Sequence, residues 1–479
     1  MNTDFSRLTV DILINAIRSQ EATGDHTIAL ARTLRRLGVN VRIFSEAVGT
    51  LPDDIQSMTH VMRAADYQPG ADLCIVQYAT WYGLAEIVRE HTLPALFWYH
   101  GVTPPELFSN AAEQALLHNA RQRTDLVWHT GLAVCTSAFT GAELGQLTGY
   151  PAERTLIVPL GINTATFAAP LAAQPLAALR NRWGLTDKRV LLYVGRIAEH
   201  KRIDLLLDAL GQLITRFPTV HALIVGDTGA STATRELHKK LQQQAVHLGI
   251  ERAVTFTGRV EAVTPYYQLA AGYVQPSQHE GFGVPLVEAM AAGVPVIASN
   301  SGAMPWVLNA DDEQEVAGCL FAPGDSADLA RQITHLLSEP NLRIDLIARG
   351  KKRAEAFTLQ QFDHNVQHLI NQALGWAQQP RPVAPHPSSA LSLAADVAIR
   401  DYKVRSNIPG LGRLIEWVRT QSTSHLKEAY LDRIIEQQVN YNRQLAQELG
   451  ALRATVEELQ RQIEALQQRK ERGREETRR

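Results

Sequence analysis

Two successive sets of short, nearly continuous apolar runs, each followed by helix-like stretches, constrain this chain more than any other feature. The first set is LTVDILINAI, VNVRIF, DLCIVQY, PALFWYH, LAVCTS and TLIVPLG. A strand with one wet face alternates apolar and polar residues. A strand covered on both faces reads as an unbroken apolar run, which marks the parallel sheets of α/β proteins. Between the first two runs, HTIALARTLRRLG spaces its apolar residues helically and ends on Gly38, suited to a C-terminal cap. The pattern restarts at Arg189 with RVLLYVGR, HALIVGD, AVTFTG, AGYVQPS and PVIASN. Such a restart predicts two doubly wound, Rossmann-like α/β domains facing a ligand cleft. We assign 1–165 to the first domain, completed by a helix over 358–376, and 166–357 to the second, with the junction near 166–188.

Composition narrows the function classes. Forty-seven basic residues against 49 acidic ones give a formal charge of −2 over 479 residues, no support for a chain-wide nucleic-acid surface. The three cysteines, Cys74, Cys135 and Cys319, lie far apart and have no metal spacing, which points to a reduced, cytoplasmic compartment. The N-terminal apolar run carries Asp11 and lacks a basic lead-in, so no signal peptide is expected. No run of about 18 apolar residues occurs to span a bilayer.

The most informative segment is VQPSQHEGFGVPLVEAMAAGVPVIAS. Gly281 and Gly283 flank Phe282, and Pro285 stands just inside a short helix. Glycines there let the backbone approach a ligand, and a helix N-terminus offers free N–H groups to an anion. Glu280 in the loop and Glu288 one turn into the helix are placed to face one polyhydroxyl ligand. Upstream, LLYVGRIAEHKRID puts Arg196 and Lys201 just past a strand end, where α/β ligands bind. Two cations beside a helix N-terminus suit a diphosphate and the charge that develops as it leaves.

In combination, these segments resemble the nucleotide-sugar site of the family 4 retaining glycosyltransferases of the GT-B fold, over roughly residues 8–375. The resemblance implies that Arg196 and Lys201 bind the diphosphate and that Glu288 holds the ribose. It implies that Glu280 faces the transferred sugar, while the backbone at Gly281, Phe282, Gly283 and Val284 holds phosphate and sugar. FTGRV, ending at Val260, is similar to the turn that flanks the nucleobase; WYHGVTPPELF is similar to the strand end whose histidine, His100, lies by the donor sugar. AVCTSAFT and IVPLGINTATF are similar to further family segments. Two departures stand out. The first loop usually has two glycines, whereas ATGDHT follows Gly24 with Asp25; after SGAMP the usual glutamate is Trp306, which predicts altered loop packing.

His364 and His368 share a helical face without a carboxylate motif, and no Asp-x-Asp, P-loop or G-x-G-x-x-G occurs. No metal or other cofactor is expected; the nucleotide sugar is the donor substrate. The implied activity is transfer of a hexose, from GDP-mannose or a UDP-sugar, to a glycan or lipid-linked acceptor in surface-polysaccharide synthesis. The alternatives are a nucleotide-sugar epimerase or glycan phosphorylase on the same fold, and a non-catalytic scaffold with a relict sugar site.

Beyond the body, the stretch 377–390 includes Pro380, Pro382, Pro385 and Pro387 and reads as a semi-rigid linker. Residues 391–430 form a basic amphipathic segment around Trp417, suited to an anionic inner leaflet or to packing on the body. From 431 to 470, heptads place Ile435, Asn442, Leu449, Val456 and Ile463 at a, with Leu445, Leu452, Leu459 and Leu466 among the d positions. That pattern predicts a coiled coil, most simply a parallel homodimer, with a trimer or a partner protein as competitors. The segment is similar to tails on bacterial surface-polysaccharide enzymes.

Overall fold

The computed structural model describes residues 5–19, 21–91, 94–377 and 382. The linker beyond 377, the basic segment and the coiled coil expected from the sequence lie outside the described residues, apart from 382.

Two parallel sheets organise the body. The first contains β1 (Thr9–Ile17), β2 (Asn40–Val48), β3 (Thr59–Val61), β4 (Leu73–Tyr78), β5 (Ala95–Tyr99), β6 (Leu132–Cys135) and β7 (Thr155–Ile157), in the order β3-β2-β1-β4-β5-β6-β7. The second contains β8 (Arg189–Val194), β9 (Val220–Val225), β10 (Val254–Gly258), β11 (Ala270–Gln275), β12 (Val296–Ser299) and β13 (Gly318–Phe321), in the order β10-β9-β8-β11-β12-β13. Strand order reverses beside β1 in one sheet and beside β8 in the other. Crevices for ligands open at the carboxyl ends of strands at such switch points.

Coverage of both faces explains the unbroken apolar runs. Along β1, Ile12 and Ile14 enter one core layer while Leu13 enters the opposite one. Along β8, Val190 and Leu192 face one layer and Leu191 and Tyr193 the other. Asp11 is the exception in β1: it is fully buried and takes a two-pronged bond from Arg42 at 2.7 and 2.8 Å, plus the Tyr67 hydroxyl at 2.7 Å. Arg42 is its register partner on β2, so the pair forms across neighbouring strands and the buried charge is compensated.

The segment after the first sheet is structured. The helix Ala173–Arg182 lays Leu176 and Leu179 on the core of the second sheet. The helix Leu359–Ala377 returns to the first sheet: Phe362, Val366, Leu369, Ile370 and Ala373 enter its core, while Phe357, two residues before the helix, belongs to the second. Thr33 and Arg36 both donate to Asp363, and this bond fixes the returning helix against Ala22–Arg36. Among the described residues no helix is long and apolar enough to cross a membrane.

Candidate functional site

The residues singled out by the sequence follow β1, β5, β8, β10 and β11, and the chain past β5 and β6 meets the chain past β11. Arg196 stands exposed just past β8, where the Tyr193 hydroxyl donates to its carbonyl at 2.9 Å. Lys201 follows five residues later and is mostly buried. It donates to Glu280 Oε1 at 2.6 Å, and the same oxygen accepts from Gln275 Nε2 at 2.6 Å and Ser277 Oγ at 2.7 Å. Burial pushes the Glu280 carboxyl up, but Lys201 and Ser277 outweigh it and hold the group at about 2. Glu280 is therefore a fixed anion, with one oxygen saturated by three donors and the other left for a ligand. The sequence assigned Lys201 to the diphosphate alone; the structure gives it a second task, holding Glu280 charged and in place.

Glu288 sits in the helix Val284–Ala291 and accepts from the Tyr267 hydroxyl at 2.6 Å. Its surroundings reverse those of Glu280. Burial raises the carboxyl to about 7, the Tyr267 bond opposes the rise, and the charge of Asp25 from the other half adds to it. Gly283 caps this helix in the left-handed region at φ 101°, a conformation that favours glycine. Pro285 has no N–H and Leu286 donates to the Gly283 carbonyl. The amides of Gly283 and Val284 thus have no partner within the helix, an arrangement that suits an anion. Val260 lies in the turn after β10 and packs on the edge of the second core. Phe282 turns inward, edge-on to Phe357 at 5.4 Å and to Trp306 at 6.4 Å, so only its backbone faces the loop surface. Trp306, with Arg353 over its ring at 5.7 Å, supplies the packing beneath the loop.

His100 follows β5, its ring Nε2 2.6 Å from Gln77 Oε1. Burial lowers it to about 3, so the ring is neutral near pH 7. With Nε2 donating to Gln77, Nδ1 is left as the acceptor. Behind it, His26 packs at 5.0 Å between ring centres. Gly24 is placed differently from the sequence expectation. It belongs to the first turn of the helix Ala22–Arg36 and not to the loop before it, and a Cβ there would meet the Arg18 carbonyl oxygen at 2.0 Å. Close packing of loop on helix therefore accounts for this glycine.

The two halves touch at the site itself. Ser137 and Thr136 donate to the Gly281 carbonyl at 2.8 and 3.2 Å, and Ser109 donates through N and Oγ to Glu199. A Cβ on Gly281 would meet the His100 carbonyl oxygen at 1.9 Å, a backbone atom that cannot swing aside. Gly281→Ala is therefore expected to hold the halves apart. Activity should fall about 100-fold while the melting temperature stays within a few degrees, because each core is untouched. Unaltered kinetics in this variant would refute the role of this contact. Glu143, Ser137, His279, Gln275 and Tyr267 carried no assignment from sequence. Gln275 and His279 stood inside the quoted motif; Gln275 bonds to Glu280 within it, whereas the partner of His279, Glu143, lies on another element and no spacing reveals it.

Residues 177–353 match the family described as Glycosyl transferases group 1. The chain is 33% identical over 230 residues to a D-inositol 3-phosphate glycosyltransferase of Geodermatophilus obscurus, a match over 47% of this chain and 49% of the relative. The chain thus spans about half the length of that relative. It is 28% identical over 258 residues to the GDP-mannose-dependent alpha-(1-6)-phosphatidylinositol dimannoside mannosyltransferase of Mycobacterium tuberculosis, covering 53% of this chain and 61% of that one. The fold is similar to that of Anabaena Alr3699/HepE, solved with UDP and glucose, at a TM-score of 0.62 and 20% identity over 76% of this chain and 99% of that one. The two Rossmann-like domains have the GT-B architecture.

Proposed function

We propose that this chain is a family 4 retaining glycosyltransferase, moving a hexose from a nucleoside diphosphate sugar to a glycan or lipid-linked acceptor in surface-polysaccharide synthesis. The observation that carries the reading is the contrast between two buried carboxylates borne by one loop and the helix that follows it. Glu280 is a fixed anion at about 2, and Glu288 is held at about 7 eight residues later, on a helix that starts at Val284 between them. Fixed acceptors of different strength on either side of a phosphate cradle suit a ligand with a sugar at one end and a ribose at the other.

In this reading the amides of Gly283 and Val284, with Arg196 and Lys201, take the diphosphate. Glu288 accepts from the ribose hydroxyls and Glu280 from those of the sugar. As the glycosidic bond breaks, negative charge grows on the diphosphate, and cations already in place stabilise it without reorganising. The leaving oxygen takes the proton of the acceptor hydroxyl on the same face, so the anomeric configuration is kept. His100 orients the sugar and attacks nothing, and the reaction needs no metal ion. The relatives named for GDP-mannose and for UDP with glucose support a donor of one of these two kinds.

The test is a panel of nucleotide sugars, scored by thermal shift and then by transfer of label in the presence of EDTA. One donor should raise the melting temperature, in proportion to its occupancy, and pass its sugar to an added acceptor with the anomer retained. An inverted product would overturn the mechanism. An epimerised nucleotide sugar or phosphate-dependent release of a sugar phosphate would favour the alternative enzymes. Failure of every nucleoside diphosphate to bind by calorimetry would leave the non-catalytic scaffold.

A further inference from the structure

The helix Ala138–Thr148 belongs to the first half, yet it holds the loop that carries Glu280 in the second. Its Glu143 is almost fully buried, and each of its oxygens is engaged. Oε2 accepts from the Tyr99 hydroxyl at 2.8 Å; Oε1 lies 3.2 Å from both Arg121 Nη1 and His279 Nε2. Tyr99 and Arg121 come from the same half as Glu143, whereas His279 comes from the other half and is the residue immediately before Glu280. Two residues further on, the Gly281 carbonyl accepts from Ser137, which also caps this helix with a reciprocal Ser137–Thr140 pair. Phe139 packs edge-on to the His279 ring at 5.5 Å. One helix end therefore grips 279 and 281 on both sides of Glu280.

A surface ion pair would contribute little, but this carboxylate is removed from water and donors from both halves satisfy it together. Burial pushes its carboxyl up, and His279, Tyr99 and Arg121 more than reverse that, so the group is an anion at neutral pH. A buried anion with three donors prefers the arrangement in which all three are present, which is the arrangement with the halves in contact. We propose that Glu143 is a positioning residue that acts through His279: it latches the halves together and fixes the 279–281 loop so that Glu280 is aimed at the donor sugar. This inference rests on the proposed transferase reading for its catalytic consequence, but the latch itself does not.

Two single variants separate the latch from simple folding. His279→Phe keeps a ring against Phe139 and removes only the bond to Glu143. Tyr99→Phe removes a donor to Glu143 from within the first half and leaves the second half untouched. Hydrogen exchange at residues 277–283 should quicken at least tenfold in His279→Phe and in Glu143→Gln, and stay within twofold of wild type in Tyr99→Phe. If Glu143 only stabilised its own helix, Tyr99→Phe would loosen the loop as much as His279→Phe. In transfer assays kcat should drop about 30-fold in His279→Phe with KM for the donor within threefold, since the diphosphate cradle is intact. The double variant Glu143→Gln/His279→Phe should be no slower than either single one. Equal loop exchange in wild type and His279→Phe would overturn the latch, as would additive losses in the double variant. If wild type transfers no sugar while the exchange pattern holds, the functional reading fails and the latch stands.

Discussion

Lys201→Met is expected to reduce transfer by about a thousandfold and to reverse the response of the protein to acid. On the proposed reading, the first effect follows from removing a cation at the departing diphosphate, where loss of one aligned stabilising group typically costs 10²- to 10³-fold; the loosening of Glu280 adds to it. The second effect follows from the pair. In wild type the Glu280 carboxyl is held at about 2 against an ordinary 4.5, worth about 3 kcal/mol of stability. A depressed carboxyl contributes that stability above its unfolded value and loses it as pH falls from about 4.5 towards 2. Without Lys201, burial dominates and raises the carboxyl, so the sign inverts: the variant loses stability as pH rises. Breaking a buried pair from one side costs about 3–5 kcal/mol at neutral pH, part of which protonation of Glu280 recovers. Urea unfolding from pH 3 to 8 measures this directly, with Lys201→Arg as the variant that keeps the charge. Transfer within tenfold of wild type in Lys201→Met would remove Lys201 from the site.

That second task of Lys201 shows what a linear chain conceals. Residue type and position past β8 suffice to propose a phosphate-binding cation, because the carboxyl ends of parallel strands are where ligands bind. The contact with Glu280 spans 79 positions, and no periodicity connects them. The same holds for Glu143 and His279, 136 positions apart. Strands follow the opposite rule. A run buried on both faces announces itself, so the nine interior strands lie under the quoted apolar runs, as do the edge strands β7 and β10. β3 and β13 are short edge strands without such a run: Val61 in β3 is 65% exposed, and Cys319 and Leu320 in β13 are half-buried. Only one side of an edge strand is paired, so a long apolar run is not demanded of it. Gly24, named from the sequence as a donor-side residue of the first loop, lies inside the first helical turn, where the missing Cβ makes room for the Arg18 carbonyl.

Glu288→Gln is expected to stabilise the protein at alkaline pH while weakening its hold on the donor. The folded carboxyl is raised from 4.5 to about 7 by burial, with Asp25 adding to the rise. A carboxyl raised by folding binds its proton more tightly in the native state. Its stabilising contribution is complete below about pH 4.5, declines through pH 7 and is gone above it, a loss of about 3 kcal/mol. Glutamine keeps the shape and an oxygen for the Tyr267 hydroxyl and has nothing to titrate. The variant should therefore equal wild type near pH 4.5 and exceed it by about 1–3 kcal/mol at pH 8. Binding runs the other way. On the proposed reading the ionised carboxylate accepts from ribose hydroxyls, and such charge-assisted bonds are worth about 1.5–3 kcal/mol, or roughly 10- to 100-fold in affinity. Wild-type affinity for a nucleoside diphosphate should rise between pH 6 and 8 as Glu288 ionises. The nucleotide's own terminal phosphate titrates in the same window, so the decisive quantity is the difference between wild type and Glu288→Gln at each pH. That difference should widen from little at pH 5.5 to at least tenfold at pH 8. A constant difference would show that the ribose does not meet this carboxylate, and a variant less stable than wild type at pH 8 would show that its burial carries no cost. Opposite signs for stability and affinity at one buried position are expected of a group kept for binding in a place where folding alone would select an apolar residue.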